Sequence, residues 1–134
     1  MSTALLFAGA FLAQSAVPVV TVTGSANRIE RERVDVAYEE VRQGRNEAAI
    51  ARIMRNRELD ADDPAAMINM GTAYARMGRE SDARVCFIRA IASRERYDLE
   101  LADGQWMDSR RAARKAHELL RSQETLALAS PKGS

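Results

Sequence analysis

The stretch that decides the fold is residues 64–94, PAAMINMGTAYARMGRESDARVCFIRAIASR. In each half, apolar and small residues recur every three or four positions, which is the period of one face of an α-helix. In the first half these residues are Met67, Met70, Gly71 and Tyr74. In the second half they are Ala83, Phe87, Ala90 and Ile91. The pattern predicts two short amphipathic helices that cross closely at the small residues and are joined by a turn at residues 77–79.

The order of these residues resembles the tetratricopeptide repeat, whose signature runs W-x2-L-G-x2-Y, then A-x3-F, then A. The positions that match as they stand are Gly71, Tyr74, Ala83, Phe87 and Ala90. Met67 and Met70 replace the Trp and the Leu, and Glu95 replaces the closing Pro. The resemblance implies an all-α helical-repeat array of helix-turn-helix hairpins. It names a scaffold for protein–protein interaction and names no reaction.

A more divergent copy of the unit precedes this stretch. At a spacing of 34 residues, Gly44, Ala49 and Ile53 align with Gly78, Ala83 and Phe87. For the leading helix, predicted over residues 30–43, a spacing of 33 is preferred. A spacing of 34 would place Glu40 at the buried position of Tyr74, and burying an unpaired carboxylate is costly. The second helix of this copy is predicted over residues 46–59.

These patterns divide the chain into repeats at residues 30–63 and 64–96, a connector at 97–107, a capping helix at 108–122 and a disordered tail at 123–134. Asp63 before Pro64 is a strong helix-start signal. The connector contains Asp103-Gly104 between alternating residues, which predicts either a hairpin or an ordered loop. Leu101 and Trp106 are expected to cover the exposed end of the second repeat.

The N-terminus carries the pattern of a targeting segment. Residues 4–13 form an apolar run too short to span a membrane, and small residues follow it at Ser15 and Ala16. We therefore predict a signal peptide over residues 1–16 and a periplasmic or secreted protein of bacterial type, without a stable membrane span after cleavage. No Lys or Arg precedes the run, and an uncleaved anchor extending to Val22 is the alternative. Residues 17–29 are predicted to be an extended linker, or alternatively to supply an edge strand.

Composition argues against several functions. The 20 basic and 19 acidic residues leave a net charge of +1, which gives little support to nucleic-acid binding. Cys86 and His117 are the single cysteine and the single histidine, too few for a zinc site. Asp60, Asp62 and Asp63 lack the Gly and the Glu of a calcium loop and are interpreted as helix caps. We predict no catalytic residue, no metal and no cofactor. Cys86 is interpreted as a packing thiol, with pairing to another chain as the alternative.

In tetratricopeptide proteins the first helix of each repeat lines a concave groove that holds a peptide or a partner helix. The resemblance implies that such a groove is lined here by two sets of residues. The second repeat would supply Ile68, Asn69, Thr72 and Arg76, and the first would supply Asp35, Glu39 and Arg42. The predicted function is that of an exported adaptor or assembly factor that binds another protein or peptide. The alternative is a structural subunit of an envelope complex that self-associates as a homo-oligomer.

Overall fold

The computed structural model describes residues 22–25, 36–56 and 61–129, and it describes side chains within residues 36–56 and 61–124. The described chain is mostly helical. Its elements in order are β1 (Val22–Ser25), α1 (Tyr38–Arg42), α2 (Asn46–Arg55), α3 (Pro64–Arg76), α4 (Glu80–Ala92), β2 (Asp98–Leu101), β3 (Trp106–Asp108) and α5 (Ser109–Ala129). The predicted signal peptide lies outside the described residues.

Two helix-turn-helix units share the same turn geometry. Gly44 and Gly78 adopt φ values of 73° and 74°, a left-handed conformation that glycine reaches without a steric penalty. The Arg45 amide donates to the Glu40 carbonyl at 2.8 Å, and the Arg79 amide donates to the Tyr74 carbonyl at 2.9 Å. The two turns are therefore equivalent at a spacing of 34 residues.

This equivalence shows that the predicted spacing of 33 for the leading helix is wrong. Glu40 does occupy the position of Tyr74, and only 8% of its surface is exposed. The cost of burying this carboxylate is reduced because Arg52, on α2, reaches back to donate to Oε1 of Glu40. The sequence argument assumed an unpaired carboxylate, and the partner 12 residues along the chain removes that assumption.

Helix α3 is the centre of the core and contacts α1, α2, α4, α5 and β1. The Phe87 ring of α4 lies directly over Gly71 of α3, so the predicted close crossing at a small residue is confirmed. The predicted start of α3 is also confirmed, because Asp63 Oδ1 accepts from the Ala66 amide at 2.9 Å and Pro64 is the first helical residue.

A small antiparallel sheet in the order β1-β2-β3 accompanies the helices. The hairpin predicted around Asp103-Gly104 is formed by β2 and β3. The linker interpretation is wrong at residues 22–25, where β1 pairs with β2 as the alternative edge strand; residues 17–21 and 26–29 lie outside the described part. Leu99 and Leu101 are buried, whereas Trp106 is 54% exposed, so the predicted covering role of Trp106 is wrong.

Several helix boundaries differ from the prediction. Helix α1 begins at Tyr38, because Ala37 before it adopts a left-handed conformation (φ 58°, ψ 35°) that a continuous helix cannot contain. Helix α5 extends to Ala129, so the prediction of a disordered tail is wrong for residues 123–129, and residues 130–134 lie outside the description. An ion pair between Arg84 of α4 and Glu124 holds this longer helix against the core.

Candidate functional site

The groove face predicted on α3 is largely a buried face. Ile68 and Asn69 have no exposed surface, and Thr72 is buried as well. Nδ2 of Asn69 donates to the carbonyl of Val36 at 2.9 Å. The exposed position predicted for these three residues is therefore wrong, because α5 and the chain's own N-terminal part, β1, pack against α3.

The other predicted groove residues lie in different environments. Arg76 is partly buried and donates to the carbonyl of Val41, and burial lowers the pKa of its guanidinium. Glu39 and Arg42 form an exposed pair within α1, with Arg42 Nε 3.0 Å from Glu39 Oε2. Hydrogen bonds from Arg42, and then from Gln43, lower the pKa of Glu39 to about 2. Asp35 lies outside the described residues.

The structure instead opens a groove on another side of the molecule, between α2, α3 and α4. Its volume is about 250 Å³. It is lined by Ile53, Met54, Asn56, Ala61, Ala66, Met67, Met70 and Arg89. We refer to it as the methionine groove, because three of its eight lining residues are methionines.

The lining combines a deformable apolar surface with one anchored cation. Met67 and Met70 are buried in α3 and form part of the core, whereas Met54 on α2 is 72% exposed. Unbranched methionine side chains adapt to differently shaped partners. Arg89 is held in place by Asp62, which accepts from its Nε at 2.8 Å, and by the Ala61 carbonyl. The groove thus presents an apolar lining beside an oriented guanidinium that is ion-paired with Asp62.

A second arginine, Arg55, directly follows the lining residue Met54 in the sequence. Arg55 follows Met54 on α2 just as Arg89 follows Ile88 on α4, and the two dipeptides are separated by the 34-residue spacing. Nε of Arg55 donates to the Ala51 carbonyl, and among the described residues no ion pair uses it. An exposed apolar residue followed by arginine is therefore repeated on the outer helices. The spacing of 34 residues by itself aligns Arg55 with Arg89; the exposed apolar residue before each arginine was the signal that the sequence reasoning missed.

The chemically reactive side chains of Cys86, Tyr97 and His117 are buried or partly buried. Cys86 is buried, and burial raises the pKa of its thiol to about 11, so the thiol is protonated at neutral pH. His117 lies within α5, between its buried and exposed faces, and is half-buried. The Tyr97 hydroxyl donates to Asp63 Oδ2 at 2.7 Å, and burial together with this carboxylate raises the pKa of Tyr97. In the described part of the chain, no group of three or more His, Cys, Asp or Glu side chains is arranged to hold a metal ion.

No helix within the described ranges combines the length and the hydrophobicity that crossing a membrane requires. Comparison with known proteins returned no match, whether the chain was compared with protein-family models, with curated proteins or with solved structures.

Proposed function

We propose that this chain is a protein-binding helical scaffold, and that the methionine groove holds an apolar side chain from an acidic segment of a partner protein. The observation that carries the proposal is the groove itself, which is open, about 250 Å³ in volume and lined by three methionines. Apolar anchors that enter pockets supply most of the binding energy at protein interfaces.

The charges beside the groove select the chemistry of the partner. Arg89 lines the groove, and its guanidinium is oriented by hydrogen bonds to residues 61 and 62 and ion-paired with Asp62. Arg55 follows the lining residue Met54 on α2 and adds a second positive charge on that helix. Charge complementarity favours a partner segment in which acidic residues flank the apolar anchor. A helical segment of this kind would present both groups from one face, as in other helix-in-groove complexes.

The resemblance of residues 64–94 to a tetratricopeptide repeat supports the same class of function, because such hairpins serve as scaffolds. The apolar run at residues 4–13 supports a periplasmic or secreted location, in which the chain would act as an adaptor or an assembly factor. The mass of the intact protein recovered from its native envelope tests export. A mature chain that begins near residue 16 or 17 is expected, and one that still carries residues 1–13 would contradict cleavage.

Methyl NMR of methionine tests the groove directly. The probe is a designed amphipathic helical peptide with a leucine face and glutamate flanks, and its control is the same peptide with lysine flanks. The acidic peptide is expected to shift the methyl resonances of Met54, Met67 and Met70 and to leave those of Met77 and Met107 in place. Shifts of equal size with the lysine peptide would contradict the proposed charge preference.

A matched pair of variants on α2 tests the position of the site. Met54→Glu places a carboxylate in the groove lining and should weaken binding of the acidic peptide about tenfold or more, which corresponds to about 1.4 kcal/mol. Ala48→Glu adds the same charge to the same helix at an exposed residue that does not line the groove, and it should have little effect. Equal losses of affinity in the two variants would show that the groove is not the binding site.

A further inference from the structure

Met54 differs from the other methionines of the described residues in its exposure. It is 72% exposed on α2, whereas Met67 and Met70, which line the same groove from α3, are 4% and 8% exposed. Met77 and Met107 are half-buried and do not line the groove. The methionine groove therefore combines one accessible thioether, which we call its rim, with two thioethers that burial protects.

The 34-residue spacing offers a comparison within the chain. Ile88 on α4 is the equivalent of Met54 and is 49% exposed, but it does not line the groove. A thioether is open to mild two-electron oxidation, and a hydrocarbon side chain has no group that reacts in this way. Of the two equivalent exposed positions, the one that borders the groove carries the oxidisable group.

We propose that Met54 is a modification site at which hydrogen peroxide, or an oxidant of the same class, changes the rim of the methionine groove from apolar to polar. The thioether sulfur attacks one oxygen of the peroxide, so that an S–O bond forms and the O–O bond breaks. Sulfur loses two electrons and the peroxide gains them, and both hydrogens of the peroxide leave in one molecule of water. The effect on binding rests on the proposed function of the groove, whereas the modification itself does not.

Oxidation of Met54 should weaken binding because a sulfoxide is polar and accepts hydrogen bonds. An apolar side chain packed on the sulfoxide would remove water from its oxygen, and desolvating an unpaired polar group is costly. The fold should survive the change, because Met67 and Met70 belong to the core and are shielded from the oxidant by burial. The modification would thus act on the groove and leave the scaffold intact.

The single cysteine of the chain is shielded from the same oxidants. Cys86 is buried, and burial raises the pKa of its thiol to about 11, so that little of the reactive thiolate is present at neutral pH. A loss of binding after mild treatment with peroxide therefore reports on methionine.

Mass spectrometry of peptides from the full-length protein treated with hydrogen peroxide tests the modification site. Met54 is expected to gain an oxygen first, and Met67 and Met70 at least about tenfold more slowly, in line with their exposed fractions. In urea, which unfolds the chain, the three residues should react at similar rates. Oxidation of Met54 no faster than that of Met67 in the folded protein would overturn the modification site.

The acidic peptide with a leucine face tests the effect on the groove. Protein that has been oxidised only until Met54 has reacted should bind this peptide about tenfold or more weakly. The two methionine sulfoxide reductases, one for each epimer, should restore binding when a dithiol is supplied, which is oxidised to a disulfide as the sulfoxide oxygen leaves in water. The thermal midpoint should move little. Equal affinity before and after oxidation would overturn the effect on binding.

A matched pair of variants separates Met54 from the other methionines. Within Met54→Leu, the affinity for the peptide should be the same before and after peroxide. Within Met77→Leu, at a half-buried residue outside the groove, peroxide should still weaken binding. A loss of affinity on oxidation of Met54→Leu would place the effect on another methionine and overturn the proposal. Failure of the unoxidised protein to bind the peptide would overturn the proposed function and the effect on binding, while the order of oxidation would still decide the modification site.

Discussion

The Phe87 ring covers Gly71 so closely that a β-carbon at residue 71 would stand 2.5 Å from Cε1 and 2.8 Å from Cδ1 of the ring. Both contacts are shorter than real β-carbons make. The two helices α3 and α4 can approach to this distance only because residue 71 has no side chain. The sharpest test of the core is therefore at this position.

Gly71→Ala should destabilise the protein although alanine is the better helix former. The gain in helix propensity is about 0.5–1 kcal/mol, whereas overpacking a core typically costs about 1–3 kcal/mol. Urea unfolding should show a net loss, and Phe87→Leu in the same chain should reduce that loss by making room for the methyl group. Additive losses in the double variant would mean that the two residues are not in contact.

Phe87→Ala should remove a large part of the total stability, because truncating a buried phenylalanine costs about 3–5 kcal/mol and a small domain has only about 5–10 kcal/mol. His117→Ala, at a half-buried residue in the middle of α5, should change the free energy of unfolding by no more than about 0.5 kcal/mol. Urea midpoints compare the two. An unmoved midpoint for Phe87→Ala would contradict the crossing of α3 and α4 described above.

Arg52→Met should leave the buried Glu40 carboxylate without this ion-pair partner and cost about 1–3 kcal/mol. Adding Glu40→Gln should recover most of that loss, since the charge that needed compensation is then gone. Arg55→Met, on the same helix and in no ion pair among the described residues, is the control and should stay within about 0.5 kcal/mol. Thermal unfolding of the three variants measures these differences, and no recovery in the double variant would contradict the account.

Asp108 should contribute pH-dependent stability at the start of α5. Nε of Arg96 donates to Oδ2 of Asp108 at 2.6 Å, and this hydrogen bond holds the pKa of Asp108 below its ordinary value of 3.8. Because the folded pKa is the lower one, the contribution is present above pH 3.8 and is lost as the pH falls through the folded value. Asp108→Asn keeps a cap acceptor and removes the charge, so it should cost about 0.3–1 kcal/mol near pH 7 and nothing at the acid end. Unfolding free energies measured against pH test this, and parallel curves for the two proteins would contradict it.

Cys86 should react slowly with iodoacetamide in the folded protein. At pH 8 a thiol with a pKa of about 11 has roughly a hundredfold less thiolate than an ordinary cysteine, and burial hinders access as well. The reaction should reach the ordinary rate in urea. Equal rates in the folded and unfolded states would show that Cys86 is accessible, which would favour the alternative in which it pairs with another chain.

The sequence determined the features that depend on neighbours along the chain. The helical period of residues 64–94, the Asp63 cap with Pro64, the turn at Gly78 and the hairpin at Asp103-Gly104 are all local, and each appears in the structure. The small-residue crossing at Gly71 was also predictable, because a helix face that contains glycine opposite phenylalanine favours close packing. Local hydrogen bonds and helix periodicity are determined within a few residues, so one sequence suffices to predict them.

The tertiary structure alone decided which residues, far apart in the sequence, contact each other. The sequence pattern placed Glu40 outside the core, but the structure buries it. Its partner Arg52 becomes a neighbour only when α2 folds back on α1, so the sequence could not show the pair. Asn69, predicted to be exposed, is buried instead, and its side chain donates to the carbonyl of Val36, which lies 33 positions earlier in the chain. The methionine groove likewise opens between three helices, and no single helix face predicts it. The burial of polar groups and their hydrogen-bond partners depend on these long-range contacts. The periodicity of a single helix carries no information about them.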